Sequence, residues 1–444
     1  MAGKFTKGTR LKTISGEAVI ESWLAEGGQG DVYRISYSGE QKALKWYKPG
    51  GMGRDPESFY SNLLRNVHNG PPSDTFLWPL DITLQQPPEY TFGYVMDLKP
   101  DGYHEVSDFM LTNVRFSSYK AAVDAALKIV SAYRILHNKG YSYQDLNDGN
   151  FFIHPVTGDV RIADNDNVVP NSTQAGIVGK PRYMAPEIVT GQKETPDTQS
   201  DLFSMAVILF ILFFLNHPLE GKRSLTPAMT PAHQEFLYGT DPLFIMDPDN
   251  KENAPDPVIH SNVLTIWPCL PSYMQDLFCR AFSQKAFKNP NLRPTEYEWM
   301  KNLVKFRSEI VKCACGNEIF CQEGTFCEKC RREVYIPHSL LVQRNRIPGV
   351  AGSRIYKCQL ETCDADEALD IIGRVVANPV DMTRLALKNT SAKFWRARTP
   401  SGQEKPIVPG SGVPLKAGIT ISITTRTGTE TIEIIKNVHG TQNI

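Results

Sequence analysis

This chain of 444 residues has no surplus of either charge, no repeat at a solenoid period and no low-complexity tract. Lys and Arg together number 48, and so do Asp and Glu, which leaves a formal net charge of +0. Without a basic surplus the chain lacks the electrostatic drive for non-specific nucleic-acid binding, so no nucleic-acid partner is expected. The opening MAGKFTKGTR runs into no apolar core of signal-peptide length, so export is not expected and a cytoplasmic setting is. The most apolar stretch, Leu202–Leu215, is 14 residues long, short of the roughly 20 that a helix needs to cross a bilayer. It predicts a buried core helix and no membrane association. Cysteine is scarce, nine in all, and five of the nine fall between Cys313 and Cys330. In an intracellular chain that clustering favours a bound metal over disulfides.

What is present reads as a globular protein of about two to four units, with 41% hydrophobic and 22% charged residues. Residues 11–47 alternate apolar and polar positions between glycine breaks, the pattern of a small antiparallel sheet. Between Tyr119 and Lys139 the spacing of Ala122, Ala126, Ile129, Val130, Tyr133 and Leu136 predicts a helix, and further helical patterns surround 200–215 and 270–310. Asn216–Pro268 is rich in Pro, Asp and Asn and predicts irregular structure. From about Tyr335 onward, short Val/Ile/Thr runs broken by Gly and Pro predict an all-β region.

Five motifs carry chemistry. Ala25-Glu-Gly27-Gly28-Gln-Gly30-Asp-Val32 is a glycine turn between two strands, where backbone amides can approach phosphates. Ala43-Leu44-Lys45 follows on the next strand. Tyr143-Gln144-Asp145-Leu146-Asn147-Asp148-Gly149-Asn150 and then Ile162-Ala163-Asp164-Asn165-Asp166 place two acids and an amide at fixed spacing. Gly179-Lys-Pro-Arg-Tyr-Met-Ala185-Pro186-Glu187 comes next. Singly, each has a plain structural reading as a turn or a solvated charge.

In this order the motifs resemble those of the serine/threonine protein kinases of eukaryotic-like, bacterial type. The resemblance implies an α+β, two-lobed protein-kinase fold over residues 1–305, with an N-terminal lobe to about 98. It implies ATP and magnesium as cofactors and a protein substrate, since small-molecule phosphotransferases generally lack the Ala185-Pro186-Glu187 docking segment. Gly27, Gly28, Gly30, Val32, Ala43 and Lys45 would contact ATP. Asn150 and Asp164 would hold magnesium, and Asp145 would orient the acceptor hydroxyl. Asp201 resembles the aspartate that holds the catalytic loop, and Arg293 the arginine that pairs with Glu187. Tyrosine acceptors stay open.

The match has departures. Ala25 replaces a glycine, Tyr143 and Gln144 replace His and Arg, and Asn165 and Asp166 replace Phe and Gly. The helix that should offer Lys45 a glutamate falls over Pro56–Asn69, where Glu57 is the one acid and sits early, so the lysine's partner stays open. Without an arginine at Gln144, control through a phosphorylated Ser172 or Thr173 on that residue is not expected. The alternative is a pseudokinase scaffold that binds ATP and partners without transfer.

Cys313-Ala-Cys315-Gly and Cys327-Glu-Lys-Cys330 form two knuckles with 11 residues between them, which suits four thiolates around one structural zinc. The segment 311–334 resembles a zinc ribbon, with Cys321 an alternative ligand. From 335 to 444 the chain resembles a degenerate forkhead-associated β-sandwich, carried by Gly373-Arg374 and Asn389-Thr390-Ser391. Arg374 and Ser391 could bind a phosphate, or the domain could simply dock. The order of these parts is similar to kinases of the tellurite-resistance-associated phosphorylation triad. That implies a metal-dependent protein phosphatase and a von Willebrand A-type protein as partners or substrates.

Overall fold

The computed structural model describes residues 3–53, 55–87, 90–173, 179–320 and 326–437. It divides into two compact units, 1–116 with 128–295, and 117–127 with 296–444.

The first unit opens with a six-stranded antiparallel sheet, made of β1 (Arg10–Lys12), β2 (Glu17–Glu26), β3 (Gly30–Tyr37), β4 (Glu40–Tyr47), β5 (Asp81–Ile82) and β6 (Gly93–Met96) in the order β1-β2-β3-β4-β6-β5. The alternation read from residues 11–47 is this set of hairpins. Ala18, Ile20, Tyr33, Ile35, Leu44, Trp46 and Val95 pack on one face. Ala43, Tyr47, Tyr94 and Met96 pack on the other, against the helix α1 (Pro56–Asn69). Helix α1 starts where Asp55 accepts from the Ser58 amide and Pro56 takes the first turn, and it stops at Gly70, whose φ of 69° few other residues adopt. Its inward stripe is Phe59, Asn62, Leu63 and Asn66.

The rest of the unit is mainly helical. Short strands β7 (His104–Glu105), β8 (Tyr141–Ser142), β9 (Phe151–Ile153), β10 (Val160–Ile162) and β11 (Val169–Pro170) pair as β10-β9-β7 and β11-β8. The predicted core helix runs Thr198–Phe214 and is buried from Ser200 to its end. Asp197 caps it by accepting from the Gln199 and Ser200 amides, with Ser200 reciprocating. Among the described residues no helix is long and apolar enough to cross a membrane. Within 216–268 only short helical turns form.

Arg293 and Glu187 make a buried bidentate pair, at 2.9 and 2.7 Å, and Arg293 also donates to the Gln199 carbonyl. This pair ties the Ala185-Pro186-Glu187 segment to the helical core. Removing one member leaves the other charge buried alone, so Arg293→Ala should cost about 3–5 kcal/mol in urea unfolding. A loss below about 1 kcal/mol would show that water reaches Glu187 freely.

In the second unit, Asp124 accepts from Arg307 of the helix Glu296–Glu309, including a 2.9 Å bond to Nη2. A hairpin of β12 (Ile310–Lys312) and β13 (Glu318–Phe320) follows. Then come β14 (His338–Val342), β15 (Asn345–Pro348), β16 (Arg354–Tyr356), β17 (Ile371–Ala377), β18 (Leu385–Asn389), β19 (Trp395–Arg398), β20 (Glu404–Ile407), β21 (Gly412–Pro414), β22 (Thr420–Thr424) and β23 (Thr429–Lys436). They form two antiparallel sheets, β15-β14-β23-β22-β19-β20 and β16-β17-β18-β21. Residues of both sheets share one apolar core around Trp395, Leu340, Leu387 and Ile432. Gly373 lies against that core, where a Cβ would sit 3.1 Å from the Trp395 ring and the ring would have to give by a few tenths of an ångström.

Candidate active site

The residues singled out in the first unit come from five separate stretches of chain and meet in one cleft. Gly30 pairs with Tyr47, and a Cβ on it would lie 2.2 Å from the Trp46 carbonyl oxygen, so only glycine lets β3 and β4 close here. The Gly27 amide donates to the Gly30 carbonyl at 2.8 Å, which makes the turn, and Gly28 has open space above it. Val32 stands opposite Lys45 in the ladder and packs with Ala43.

Lys45 is buried, and its Nζ lies 3.2 Å from Asp164 Oδ1 and 3.0 Å from Asp166 Oδ2. Gln29, on the glycine turn, accepts a third bond at 2.7 Å. Burial works against the ammonium, but the attraction of Asp164 and Asp166 outweighs it and holds the lysine's pKa above its ordinary value. Glu57 is exposed on the first turn of α1 and is not among these partners.

Asp145 is placed by its loop. Asp201, buried in the first turn of the Thr198–Phe214 helix, accepts from the amides of Tyr143 at 2.6 Å and Gln144 at 3.1 Å, and lies 3.1 Å from His137 Nε2. The Gln144 φ of 67° turns the chain so that Asp145 faces the cleft. Asn150 donates to the Asp145 carbonyl at 2.7 Å and to the Tyr143 hydroxyl at 3.1 Å. Both amide hydrogens are thereby used, and Asn150 Oδ1 has no donor among the described residues. Tyr143 in turn donates to the Ala163 carbonyl, bridging the loop to the Asp164 segment. Asp164 itself has a left-handed φ of 53°, and its side chain is 41% exposed. An amide oxygen without a donor and an accessible carboxylate are the hard donors that magnesium takes, so these residues fit that ion.

The Asp145 carboxyl is pushed up to about 7, first by desolvation and then by the charges of Asp164 and Asp166, with Lys45 opposing. Its contacts are loose: Asn147 Nδ2 at 3.4 Å and Asn167 Nδ2 at 3.3 Å. In front of it opens a cavity of about 940 Å³, lined in part by Thr173, Gly179, Lys180, Met184 and Ile188. Lys180 Nζ reaches Asn147 Oδ1 at 3.1 Å. Gln144 donates through Nε2 to the carbonyls of Thr173 at 2.6 Å and Pro196 at 3.1 Å. A neutral amide thus latches this segment where an arginine would offer a charge.

Sequence reasoning did not find Gln29, Tyr47, Asp166 or Lys180. Asp166 stood out only as a departure within the Asp164 motif, with no role attached, and only the fold brings it and Tyr47 to Lys45.

In the second unit, Cys313 and Cys315 lie in the turn between β12 and β13, closed by Gly316 at φ 87°, and Cys327 and Cys330 lie in a turn closed by Arg331 at φ 58°. The four sulfurs lie within 4.8 Å of one another, with Cys313–Cys330 at 3.5 Å and Cys315–Cys327 at 3.6 Å. These spacings are too long for disulfides and near the roughly 3.8 Å edge of a thiolate tetrahedron around zinc. Cys321 lies outside the described residues. Arg374 is exposed on the face of β17, whereas the Ser391 hydroxyl, past the end of β18, is given to Asn389 Oδ1 at 2.8 Å.

Residues 91–302 match the family model described as protein kinase domain. The match takes in most of the first unit after its N-terminal sheet together with 117–127 and 296–302 of the second, and a protein kinase domain implies a two-lobed fold. Human protein kinase C delta type is 33% identical over 228 residues, 49% of this chain and 32% of that protein. The ovarian-specific serine/threonine-protein kinase Lok of Drosophila melanogaster is 24% identical over 200 residues, 39% of this chain and 42% of that protein. A putative protein kinase C delta type homolog from the same fly is 34% identical over 111 residues, 24% of this chain and 16% of that protein. The chain thus spans less than half the length of these relatives.

Proposed function

We propose that the chain is an ATP- and magnesium-dependent protein kinase acting on Ser/Thr hydroxyls, with its catalytic domain over residues 1–305. The observation that carries this reading is the convergence of Lys45, Asp145, Asn150 and Asp164 beside the glycine turn. In it, the amides of Gly27, Gly28 and Gly30 lie over the phosphates, and Val32 and Ala43 pack against the base. Lys45 holds the α- and β-phosphates. Asn150 and Asp164 would hold magnesium, which supplies charge neutralisation to the phosphates when bound. Asp145 orients the acceptor hydroxyl and accepts its proton. The cavity before Asp145 is large enough for an extended peptide, and Lys180 offers a cation at its rim.

Residues 311–334 serve as a zinc ribbon, in which four thiolates leave no open position, so the zinc is structural. Residues 335–444 are a forkhead-associated-like β-sandwich. The engagement of Ser391 by Asn389 favours docking over phosphate reading there. The order of these parts supports a bacterial kinase–phosphatase system resembling the tellurite-resistance-associated triad, with a metal-dependent phosphatase and a von Willebrand A-type protein as substrate or partner.

The raised Asp145 carboxyl gives the test. Below its pKa it is protonated and cannot accept the hydroxyl proton, so kcat/KM should rise with pH through an apparent value near 7. At pH 6 it should lie about tenfold below its plateau. The same shift means that fold stability falls as pH rises from about 4 through 7, because ionising this carboxyl is easier in the unfolded chain. Phosphate transfer from ATP to a Ser/Thr protein, followed over that range with magnesium, checks both the activity and its sign. No transfer at any pH would reject the reading.

A further inference from the structure

Lys45 is 5% exposed, and a buried ammonium is tolerated only when it is paired. Its three partners among the described residues are not equivalent. Gln29 is neutral and belongs to a turn that must make way for a nucleotide. Asp164 opens to the cleft and is the carboxylate assigned above to magnesium, so a bound cation takes the charge that Lys45 shares with it. Asp166 is different: its side chain is wholly buried, and the oxygen that meets Lys45 also accepts the Tyr47 hydroxyl. Lys45 and Tyr47 stand two residues apart on β4, hence on one face of the sheet, and both donors converge on Asp166 Oδ2.

Helix α1 packs on the same face but brings no acid to it. Its inward polar residues, Asn62 and Asn66, donate to the Val168 carbonyl at 2.8 and 2.9 Å. The segment that carries Asp166 is fixed independently, since Asn165 donates at 2.8 Å to both the Leu77 and Ile162 carbonyls.

We propose that Asp166 is the positioning carboxylate of this site, holding Lys45 ready for the nucleotide phosphates while Asp164 is taken up by magnesium, with Tyr47 orienting it. The inference rests on the kinase reading. Its consequence is that the lysine follows the metal-binding segment, in which Asp164 and Asp166 are two residues apart, and takes no carboxylate from α1. Glu57 has no part in it.

The test measures Mg·ATP affinity by calorimetry, and kcat and KM for ATP in phosphate transfer, for wild type, Asp166→Asn, Asp166→Glu and Glu57→Gln, with melting curves as a control for folding. Asp166→Asn should weaken Mg·ATP binding at least fivefold and lower kcat/KM at least thirtyfold. Asp166→Glu should recover most of the loss, and Glu57→Gln should stay within twofold of wild type. If Asp166→Asn does not fold, Tyr47→Phe decides, with at least a threefold drop in kcat/KM expected and a wild-type value overturning the proposal. Wild type that binds and transfers phosphate while Asp166→Asn matches it overturns this inference alone, as does a Glu57→Gln loss equal to that of Asp166→Asn. Wild type that binds no Mg·ATP overturns the kinase reading and this inference with it.

Discussion

Asp145→Asn is expected to lower phosphate transfer by about 10²–10⁴-fold, the range for removal of a positioned general base, with Mg·ATP affinity held within a few-fold. The separation follows from the geometry. Asp145 is not among the partners of Lys45, and its own contacts with Asn147 and Asn167 are long enough for an amide to take its place. Asp145 is also crowded by the charges of Asp164 and Asp166, so the neutral variant should melt no lower than wild type. Steady-state kinetics beside calorimetric titration check this. Transfer within tenfold of wild type would move the base elsewhere in the cleft.

Loss of zinc should be the largest structural effect. The knuckles are backed by only a small cluster, Val311, Cys313, Ile319, Cys327 and Ile336. A core of that size cannot hold a fold by itself, whereas a structural zinc contributes about 10–16 kcal/mol in small thiolate sites. Purified protein should therefore carry one zinc per chain. Cys327→Ser, or prolonged chelation, should release it and open residues 311–336 to proteolysis. Metal-free protein with the same protease resistance would contradict the assignment.

The order of motifs made the class of the fold legible, because Asp145, Asn150, Asp164 and Glu187 each need a particular side chain at a particular spacing. Asp201 and Arg293 were readable for the same reason, and both hold their segments as expected. The core helix was legible in its uninterrupted apolar run. Departures from the usual motif were visible, but their outcome was not. Tyr143 keeps the bridge to the Ala163 carbonyl with a hydroxyl, and Gln144 latches backbone carbonyls with an amide. Neither follows from residue type. The partner of Lys45 was out of reach because Asp166 lies 121 residues away and becomes its neighbour only when β4 and the Asp164 segment face each other. The family match itself begins at residue 91, so the glycine turn, β4 and α1 lie outside it, and the folded sheet is what places them. Cysteine spacing foretold the four-sulfur cluster. In the β-rich region, Gly373 reads as part of a binding signature, yet the space a side chain would take there is bounded by Trp395, Leu387 and Ile355 of the core.

The most direct test of the central claim is intact-mass analysis after incubation with ATP and magnesium, alone and with a Ser/Thr protein substrate, for wild type beside Asp145→Asn and Asp164→Asn. The account predicts phosphate mass gains on Ser or Thr with wild type that vanish in both variants and without magnesium. Wild-type protein that binds Mg·ATP yet adds no phosphate to itself or to the substrate would contradict it, and would make the chain a nucleotide-binding scaffold.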